Sequence, residues 1–364
     1  MLLVTLDKLC LFLEARYFSD EQFTYRRTNM TRYVMRPSSG FSYDGAVLPR
    51  TDIAELCVKH GWTPVDVRMF GEFRSRDLSY FEEHLTKNQV NEILIQSPFY
   101  NSNPQAEQEW LAMLKRLSVR TIGLIHDVDV IRFGGEATEA VKLYNQYDSL
   151  LVPSRALIKA IEEKAGNLKI TTPIITYPFW YYPLETKRVP TFKPTVSFAG
   201  NLTKSKARFL YEDDSSIYTI YGQSNDMIIT SRPNYKGAFN RDKLYSKLKG
   251  FGLVWDGSVE PSTENNYTNY AQYNQSYKAS LYLASGLPLI VWENDRIAPF
   301  VKEQGIGIVL PNLLNINRVI SNISEQTYNE MVANIKPLQE QIISGDKFYE
   351  VITQAMVFAY NSRR

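Results

Sequence analysis

The chain has 364 residues, of which 44% are hydrophobic and 22% are charged, and its 41 basic residues nearly balance 39 acidic residues. This composition is typical of a globular protein of about two domains, and it excludes the strong basic excess of most nucleic-acid-binding proteins. Two cysteines, Cys10 and Cys57, and three histidines form no zinc-binding pattern, so we expect a reducing, cytoplasmic environment. We also expect no membrane-spanning helix, because no apolar stretch is long enough.

The first 28 residues form an N-terminal extension that begins "MLLVTLDKLCLFLEARYF". Leu2, Leu6, Leu9 and Leu13 recur at helical spacing and predict an amphipathic helix. Acidic and basic residues interrupt the apolar run, and no cleavage site follows it, so a signal peptide is disfavoured. Two interpretations stay open for this segment. In the first, it packs on the protein body or extends loosely from it. In the second, it anchors the chain at a membrane surface.

Apolar runs alternate with helical patterns through residues 29–178, which we predict to be the first domain. Strands are predicted at residues 31–36, 63–69, 91–96, 121–126, 149–152 and 173–177. Helical patterns are predicted at residues 48–61, 104–117, 136–147 and 154–166. Strands that alternate with helices favour a parallel sheet with right-handed crossovers.

A proline-rich segment without periodicity, residues 177–194, separates this domain from a second one at residues 195–345. Strands are predicted there at residues 195–200, 216–222, 250–257, 287–292 and 305–310. Helices are predicted at residues 240–249, 276–285 and 295–304. Residues 346–364 are predicted to form a C-terminal helix that crosses back to the first domain. The sequence therefore predicts two doubly wound α/β domains with a cleft between them.

Polar residues that follow the strands are the candidates for function, because open parallel sheets bind ligands beyond the carboxyl ends of their strands. In the first domain, His126 and Asp127 follow the strand at 121–126, and either could serve as a general base. A structural histidine that bonds a loop carbonyl is the alternative. The loop at residues 39–45 is flexible enough to contact a substrate.

The second domain has two basic strand-to-helix turns. In one, "FAGNLTKSKARF", a helix is predicted to carry Lys204, Lys206 and Arg208 next to its start. In the other, "NQSYKASLYLASG", polar groups and Lys278 surround the start of an apolar helix. A helix N-terminus with cations nearby favours a diphosphate. Ordinary capping by Ser276 or Asn274 is the alternative. No glycine-rich nucleotide fingerprint is present, and the second domain contains no Asp-x-Asp motif, which favours a metal-free donor site there.

Four stretches, "HDVDVIRFGG", "FAGNLTKSKARF", "GFGLVWDG" and "YNQSYKASLYLASGLPLIVWE", resemble two related bacterial groups. These are beta-1,6-galactofuranosyltransferases and accessory glucosyltransferases of serine-rich adhesins. The resemblance covers roughly residues 85–360. It implies the glycosyltransferase B fold, an α/β fold of two Rossmann-like domains with an interdomain cleft. The departures are about 30 extra residues at the start and the absence of a Glu-x7-Glu signature.

The resemblance also implies roles for individual residues. It places uridine diphosphate (UDP) in the second domain, at Asn201, Lys204, Tyr235, Tyr273, Asn274, Gln275, Ser276, Tyr277 and Lys278. Lys278 would be the main charge partner of the diphosphate. The first domain would hold the acceptor. Galactofuranosyl relatives invert the anomeric carbon, so a general base is expected, and His126 or Asp127 is the prediction for it.

Together these features predict a metal-independent hexosyltransferase with a UDP-sugar as co-substrate and no other cofactor. Galactofuranosyl transfer is favoured over glucosyl transfer, and the acceptor is a glycan, glycolipid or glycoprotein. A lipid-linked acceptor would bring the chain into peripheral contact with the inner face of the membrane. The family implies a homo-oligomer. A non-catalytic UDP-sugar-binding protein and a two-domain epimerase are the alternatives.

Overall fold

The computed structural model describes residues 30–38, 46–67, 75–98 and 104–362. The predicted helix of the N-terminal extension and the predicted loop at residues 39–45 lie outside these residues. Among the helices of the described residues, none combines the length and the apolar character that crossing a bilayer requires.

The first domain is built on a parallel sheet. Its strands are β1 (Arg32–Pro37), β2 (Thr63–Val67), β3 (Glu92–Ser97), β4 (Arg120–Ile125), β5 (Ser149–Val152) and β6 (Ile174–Thr176). Its helices are α1 (Val47–Lys59), α2 (Ser75–Lys87), α3 (Pro104–Arg116), α4 (Asp129–Arg132), α5 (Thr138–Tyr144) and α6 (Arg155–Lys164). Within the described residues the sheet order is β2-β1-β3-β4-β5-β6, and every pairing is parallel.

The second domain repeats this plan. Its strands are β7 (Val196–Ala199), β8 (Tyr218–Tyr221), β9 (Phe251–Val254), β10 (Leu289–Trp292) and β11 (Gly307–Leu310). Its helices are α7 (Phe209–Glu212), α8 (Met227–Thr230), α9 (Arg241–Lys247), α10 (Asn266–Ala271), α11 (Tyr277–Ala284), α12 (Ala298–Gln304), α13 (Ile316–Ser321) and α14 (Glu325–Ser344). The described sheet has the parallel order β11-β10-β9-β7-β8.

The last helix, α15 (Asp346–Asn361), leaves the second domain and packs against β4, β5 and β6 of the first sheet. Its buried side chains Phe348, Ile352 and Ala355 join the core on that face. The Ser149 hydroxyl on β5 donates to the Ala355 carbonyl at 2.9 Å. The chain therefore ties its two domains together at the end as well as through the linker.

Two local predictions differ from the structure. Helix α2 is absent from the predictions above, although Leu78, Phe81 and Leu85 have helical spacing and Phe81 and Leu85 are buried in the core. The predicted helix with Lys204 near its start is wrong, because α7 has only four residues and begins later. The Asn201 side chain accepts from the Thr203 N–H at 2.9 Å, and this local bond competes with helical hydrogen bonding.

The topology fixes where a ligand site belongs. In the first sheet β1 lies between β2 and β3, and in the second sheet β7 lies between β8 and β9. Strand order reverses at both positions, and ligands of open α/β sheets bind beyond the carboxyl ends of the strands there. The residues after β3 and β4, and those after β7 and β9, are therefore placed around one cleft.

Contacts between the domains gather on the segment that includes α10 and precedes α11. Three hydrogen bonds reach it from the first domain and the linker, each at 2.8 Å: Val128 N–H to the Tyr270 hydroxyl, Ser154 hydroxyl to the Tyr273 carbonyl, and Trp180 indole N–H to the Gln275 carbonyl. The Arg132 guanidinium also lies 4.4 Å from the Tyr270 ring. These bonds hold the start of α11 against the first domain.

Candidate active site in the interdomain cleft

A cavity of about 960 Å³ lies between the two domains. This volume is at the upper end of the range for small-ligand sites. Side chains from both domains line it, and they include predicted residues from each: His126, Asp127, Asn201, Lys204, Asn274, Gln275, Ser276, Tyr277 and Lys278. The residues predicted from two separate halves of the chain therefore meet at one cavity.

The N-terminus of α11 opens into this cavity without a side-chain cap. Ser276 occupies the N-cap position, but its hydroxyl accepts no hydrogen bond from the helix. The Asn274 side chain accepts instead from the neighbouring Gln275 N–H at 2.8 Å. In the described part of the chain no acceptor is found for the Tyr277 and Lys278 N–H groups. Capping by Ser276 or Asn274 therefore does not explain the polar cluster, and the helix end can bind an anion.

Lys278 projects from α11 across the end of β7. A Cβ atom at Gly200 would lie 3.2 Å from its side-chain Cδ, so glycine leaves room for the lysine. The ammonium lies 2.8 Å from Asp256 Oδ1 and 3.1 Å from the Trp255 carbonyl. Burial lowers the pKa of Lys278, and the attraction of Asp256 opposes that effect. In the free protein, the charge of Lys278 is therefore already neutralised by Asp256.

Two further lysines of the second domain have no carboxylate partner among the described residues. Lys204 lies with its ammonium 5.8 Å from the Tyr211 ring, and Lys206 lies 5.3 Å from the Tyr267 ring. Both line the cavity. Lys206 belongs to the motif quoted above but not to the predicted site residues. Lys206 follows Lys204 by two residues, and in a turn this spacing can place both cations on the same side. The spacing could therefore have indicated Lys206 as a site residue.

Two predicted nucleotide-binding tyrosines are not among the cavity-lining side chains. The Tyr235 hydroxyl donates to the Gly222 carbonyl at 3.0 Å, and its ring packs against the core of the second domain. Tyr273 packs against the core of the first domain. Gln275 is buried and lines the cavity. Its Oε1 accepts from Arg296, and its Nε2 has no partner in the described residues.

His126 sits at the end of β4 in a fixed orientation. Its ring stacks on Trp180 with centroids 4.7 Å apart, and its Nε2 lies 2.9 Å from Gln96 Oε1. The ring thus bonds a side chain of β3 and not a loop carbonyl, which was the structural alternative. Burial lowers the pKa of His126 well below its usual value, and the nearby Arg50 cation adds to this effect. The imidazole is therefore neutral at pH 7.

Asp127 also lines the cavity, but its carboxylate is engaged. Arg132 donates to Asp127 Oδ1 from one turn further along the chain. The same guanidinium lies against the Tyr270 ring. One oxygen of the Asp127 carboxylate is thus occupied by a cation. Among the described residues His126 has no ion-pair partner, so of the two predicted bases it is the one we assign.

A buried contact between the domains joins Tyr277 to two residues, Asp52 and Arg241, that no motif in the sequence indicates. Arg241, at the start of α9, lies 2.6 and 2.7 Å from the two carboxylate oxygens of Asp52 on α1. The Tyr277 hydroxyl donates to the same carboxylate. Burial raises the pKa of Asp52 to about 6, against the opposing attraction of Arg241. Tyr277 is thus held by a first-domain carboxylate directly beside the N-terminus of α11.

Asp295 is a buried carboxyl group at the base of the cavity. Its Oδ1 accepts from the Ile297 N–H at 3.0 Å, and burial raises its pKa to about 7. Among the described residues, no group of three or more His, Cys, Asp and Glu side chains is arranged to hold a metal ion. Asp256 pairs with the Lys278 ammonium, and Asp295 accepts from a backbone amide.

We predict that Asp295→Asn stabilises the protein at high pH. Between about pH 4 and pH 7 the folded state retains a proton that the unfolded state has lost, so wild-type stability falls as pH rises through this window. The variant keeps an acceptor for Ile297 without this cost. At pH 8 the free energy of unfolding of the variant should exceed that of the wild type by roughly 1–4 kcal/mol, and its thermal midpoint should be higher accordingly. At pH 5 the difference should shrink, and equal differences at pH 5 and pH 8 would contradict the assignment.

Two family models, one for each domain, together match most of the chain. "Glucosyltransferase 3-like, N-terminal domain" matches residues 31–177, and "Glucosyltransferase 3-like, C-terminal domain" matches residues 196–355. The chain belongs to the Glucosyltransferase 3-like family. It is therefore a member of a glycosyltransferase family.

Individual relatives agree with this membership. The chain is 25% identical over 264 residues to "Beta-1,6-galactofuranosyltransferase WbbI" of Escherichia coli K12, covering 70% of this chain and 77% of that protein. It is 27% identical over 273 residues to "Glucosyltransferase 3" of Streptococcus gordonii, covering 73% and 79%. These relatives confirm the resemblance to both bacterial groups.

Solved structures of low sequence identity share the fold. Sucrose-phosphate synthase from Thermosynechococcus elongatus aligns with a TM-score of 0.64 at 11% identity, over 91% of this chain and all of that chain. The pneumococcal O-GlcNAc transferase GtfA, solved with UDP and GlcNAc, aligns with a TM-score of 0.50 at 12% identity, over 78% of this chain and 60% of that chain. The predicted glycosyltransferase B fold is confirmed.

Proposed function

We propose that this chain transfers a hexosyl group from a UDP-sugar to a glycan acceptor in the synthesis of a bacterial surface polysaccharide or glycoprotein. The galactofuranosyl group is the favoured donor sugar, and the glucosyl group is the next. The relatives named above include one enzyme of each kind, at similar identity. The acceptor is a glycan, glycolipid or glycoprotein bound on the side of the first domain.

One observation carries this proposal: an uncapped helix N-terminus and two lysines without carboxylate partners face a neutral histidine across one cavity. The helix end with Lys204 and Lys206 suits a diphosphate. The histidine suits a proton acceptor near the attacking hydroxyl. A site for a leaving diphosphate opposite a base is what a glycosyl transfer with inversion requires.

The chemical step can be written with these groups. The acceptor hydroxyl gives its proton to His126, and its oxygen forms a bond to the anomeric carbon of the donor. The bond from that carbon to the diphosphate oxygen breaks, and UDP leaves with the electron pair. Lys204, Lys206 and the N–H groups at the start of α11 stabilise the negative charge that develops on UDP. We propose that these groups act without a metal ion.

The donor can be identified by a thermal-shift and hydrolysis panel run without added metal. The panel holds UDP-galactofuranose, UDP-glucose, UDP-galactose and UDP-N-acetylglucosamine, with GDP- and dTDP-sugars as controls. We expect stabilisation by UDP compounds alone and slow hydrolysis of one UDP-sugar. Stabilisation without hydrolysis, and without UDP release when acceptor glycans are added, would favour a non-catalytic UDP-sugar-binding protein. No response to any UDP compound would overturn the proposal.

A further inference from the structure

Gln96 occupies an unusual position behind the proposed base. It lies on β3, is 1% exposed, and reaches across the first sheet toward β1 and α1. Its Nε2 lies 2.7 Å from the Met35 carbonyl and 2.7 Å from the Arg50 carbonyl. Both partners are acceptors only, so the amide must present its NH₂ group to them. A flipped amide would bring three oxygen atoms together in a buried site.

The orientation of this amide decides the protonation of His126. With both N–H groups of Gln96 used, its Oε1 is the atom that faces His126 Nε2 at 2.9 Å. A carbonyl oxygen only accepts, so the neutral imidazole must carry its proton on Nε2. The other ring nitrogen, Nδ1, then has an unshared electron pair. Tautomers are set by such partner bonds.

Nδ1 is the ring nitrogen that remains available. It makes no hydrogen bond within the described residues, and it is not among their buried polar atoms without a partner. His126 itself lines the cavity. The backbone N–H of His126 donates to the Ser97 carbonyl at 2.8 Å, and the ring is stacked on Trp180. The imidazole is therefore held by its backbone, by its face and by one nitrogen, while the other nitrogen reaches the cavity.

We propose that Gln96 is a positioning residue that fixes His126 as its Nε2–H tautomer, so that Nδ1 is the atom that takes the proton of the acceptor hydroxyl. Gln96 touches no substrate and acts only through His126. The catalytic consequence rests on the proposed function, whereas the tautomer itself does not.

Nitrogen NMR of the histidine side chains tests this directly. The full-length chain is labelled with ¹⁵N-histidine and recorded without substrate near pH 7.5, and His126→Gln identifies the signals of His126 among the three histidines. We expect the shift pattern of a neutral ring with its proton on Nε2. A proton on Nδ1, or a charged ring, would overturn the proposal. Because no substrate is present, this result is independent of whether the chain is a transferase.

Gln96→Leu should then disturb both the tautomer and the reaction. Without the Gln96 oxygen the Nε2–H is buried without an acceptor, so we expect a mixture of tautomers and a loss of about tenfold or more in UDP release from the UDP-sugar that the panel identifies. UDP affinity should stay within about twofold of wild type, since Gln96 lies in the other domain.

Gln339→Leu is the matched control. Gln339 is also buried, and its Nε2 donates to two backbone carbonyls, those of Arg188 and Ala284, outside the cavity. It should lower stability by a similar amount but leave the tautomer and the turnover unchanged. An equal loss of turnover in both variants, or an unchanged His126 spectrum in Gln96→Leu, would overturn the positioning role. If Gln96→Leu does not fold, the wild-type spectrum still decides the tautomer.

Discussion

Replacing His126 by glutamine is expected to reduce turnover by about 100- to 10,000-fold, the usual contribution of a general base. Glutamine can still donate to Gln96 from its Nε2, so the local hydrogen bond of the fold is retained. The variant has no atom that can accept a proton at the position of Nδ1. The binding of UDP should stay within about twofold of wild type, because the proposed diphosphate site lies in the second domain. The measurement is UDP release under saturating donor, with UDP affinity measured separately by calorimetry.

Asp127→Asn is the comparison that distinguishes the two predicted bases. Asp127 is paired with Arg132, so its loss should alter the wall of the cavity without removing the proton acceptor. We expect a reduction of at most about tenfold, well short of the loss in His126→Gln. If Asp127→Asn loses more activity than His126→Gln, then Asp127 is the base and the assignment of His126 is wrong.

Removing both cavity lysines, Lys204→Ala with Lys206→Ala, is expected to weaken UDP binding by about 100-fold or more. Hydrogen bonds to charged groups each contribute about 1.5–3 kcal/mol, and every 1.4 kcal/mol is tenfold in Kd. Neither lysine has a carboxylate partner in the described residues, so their removal leaves no buried charge unpaired. Calorimetric titration with UDP at two salt concentrations measures the effect, and the variant should also show the weaker salt dependence.

Two further variants make this result specific. Lys302→Ala removes one lysine charge from an exposed position on α12, outside the cavity, and should leave UDP affinity unchanged. Lys278→Ala removes the partner of Asp256, so we expect it to lower stability as well as affinity. A double variant that binds UDP as tightly as Lys302→Ala would show that Lys204 and Lys206 do not contact the diphosphate.

Much of the fold follows from the sequence, because parallel strands buried on both faces are continuous apolar runs. The predicted strand at residues 121–126 corresponds to β4 (Arg120–Ile125), and the predicted strand at 149–152 coincides with β5. The amphipathic helix α2 is also predictable from its own apolar spacing, although it is absent from the predictions above. Helix α7 is short because side-chain and loop hydrogen bonds, such as that from the Gly257 N–H to the Lys206 carbonyl at 2.7 Å, compete locally with helix formation.

The site was predictable only where it follows strand ends or a helix start. His126 and Lys278 occupy such positions, so local sequence points to them. The partners that set their chemistry are distant in sequence, as with Gln96 for His126 and Asp256 for Lys278. The Asp52–Arg241 pair joins residues 189 positions apart on different domains. Pairings of this kind depend on how two sheets face each other, which no local pattern encodes.

A crystal structure of the chain with UDP, grown with a metal chelator, would show whether UDP binds at the start of α11 between the two domains. We predict that the diphosphate lies within hydrogen-bonding distance of the Tyr277 and Lys278 N–H groups and of the Lys204 and Lys206 ammonium groups. The cavity wall with His126 should face the open end of the diphosphate. UDP bound elsewhere, or bound here only when a metal ion bridges it to the protein, would rule out this site as the metal-independent UDP site.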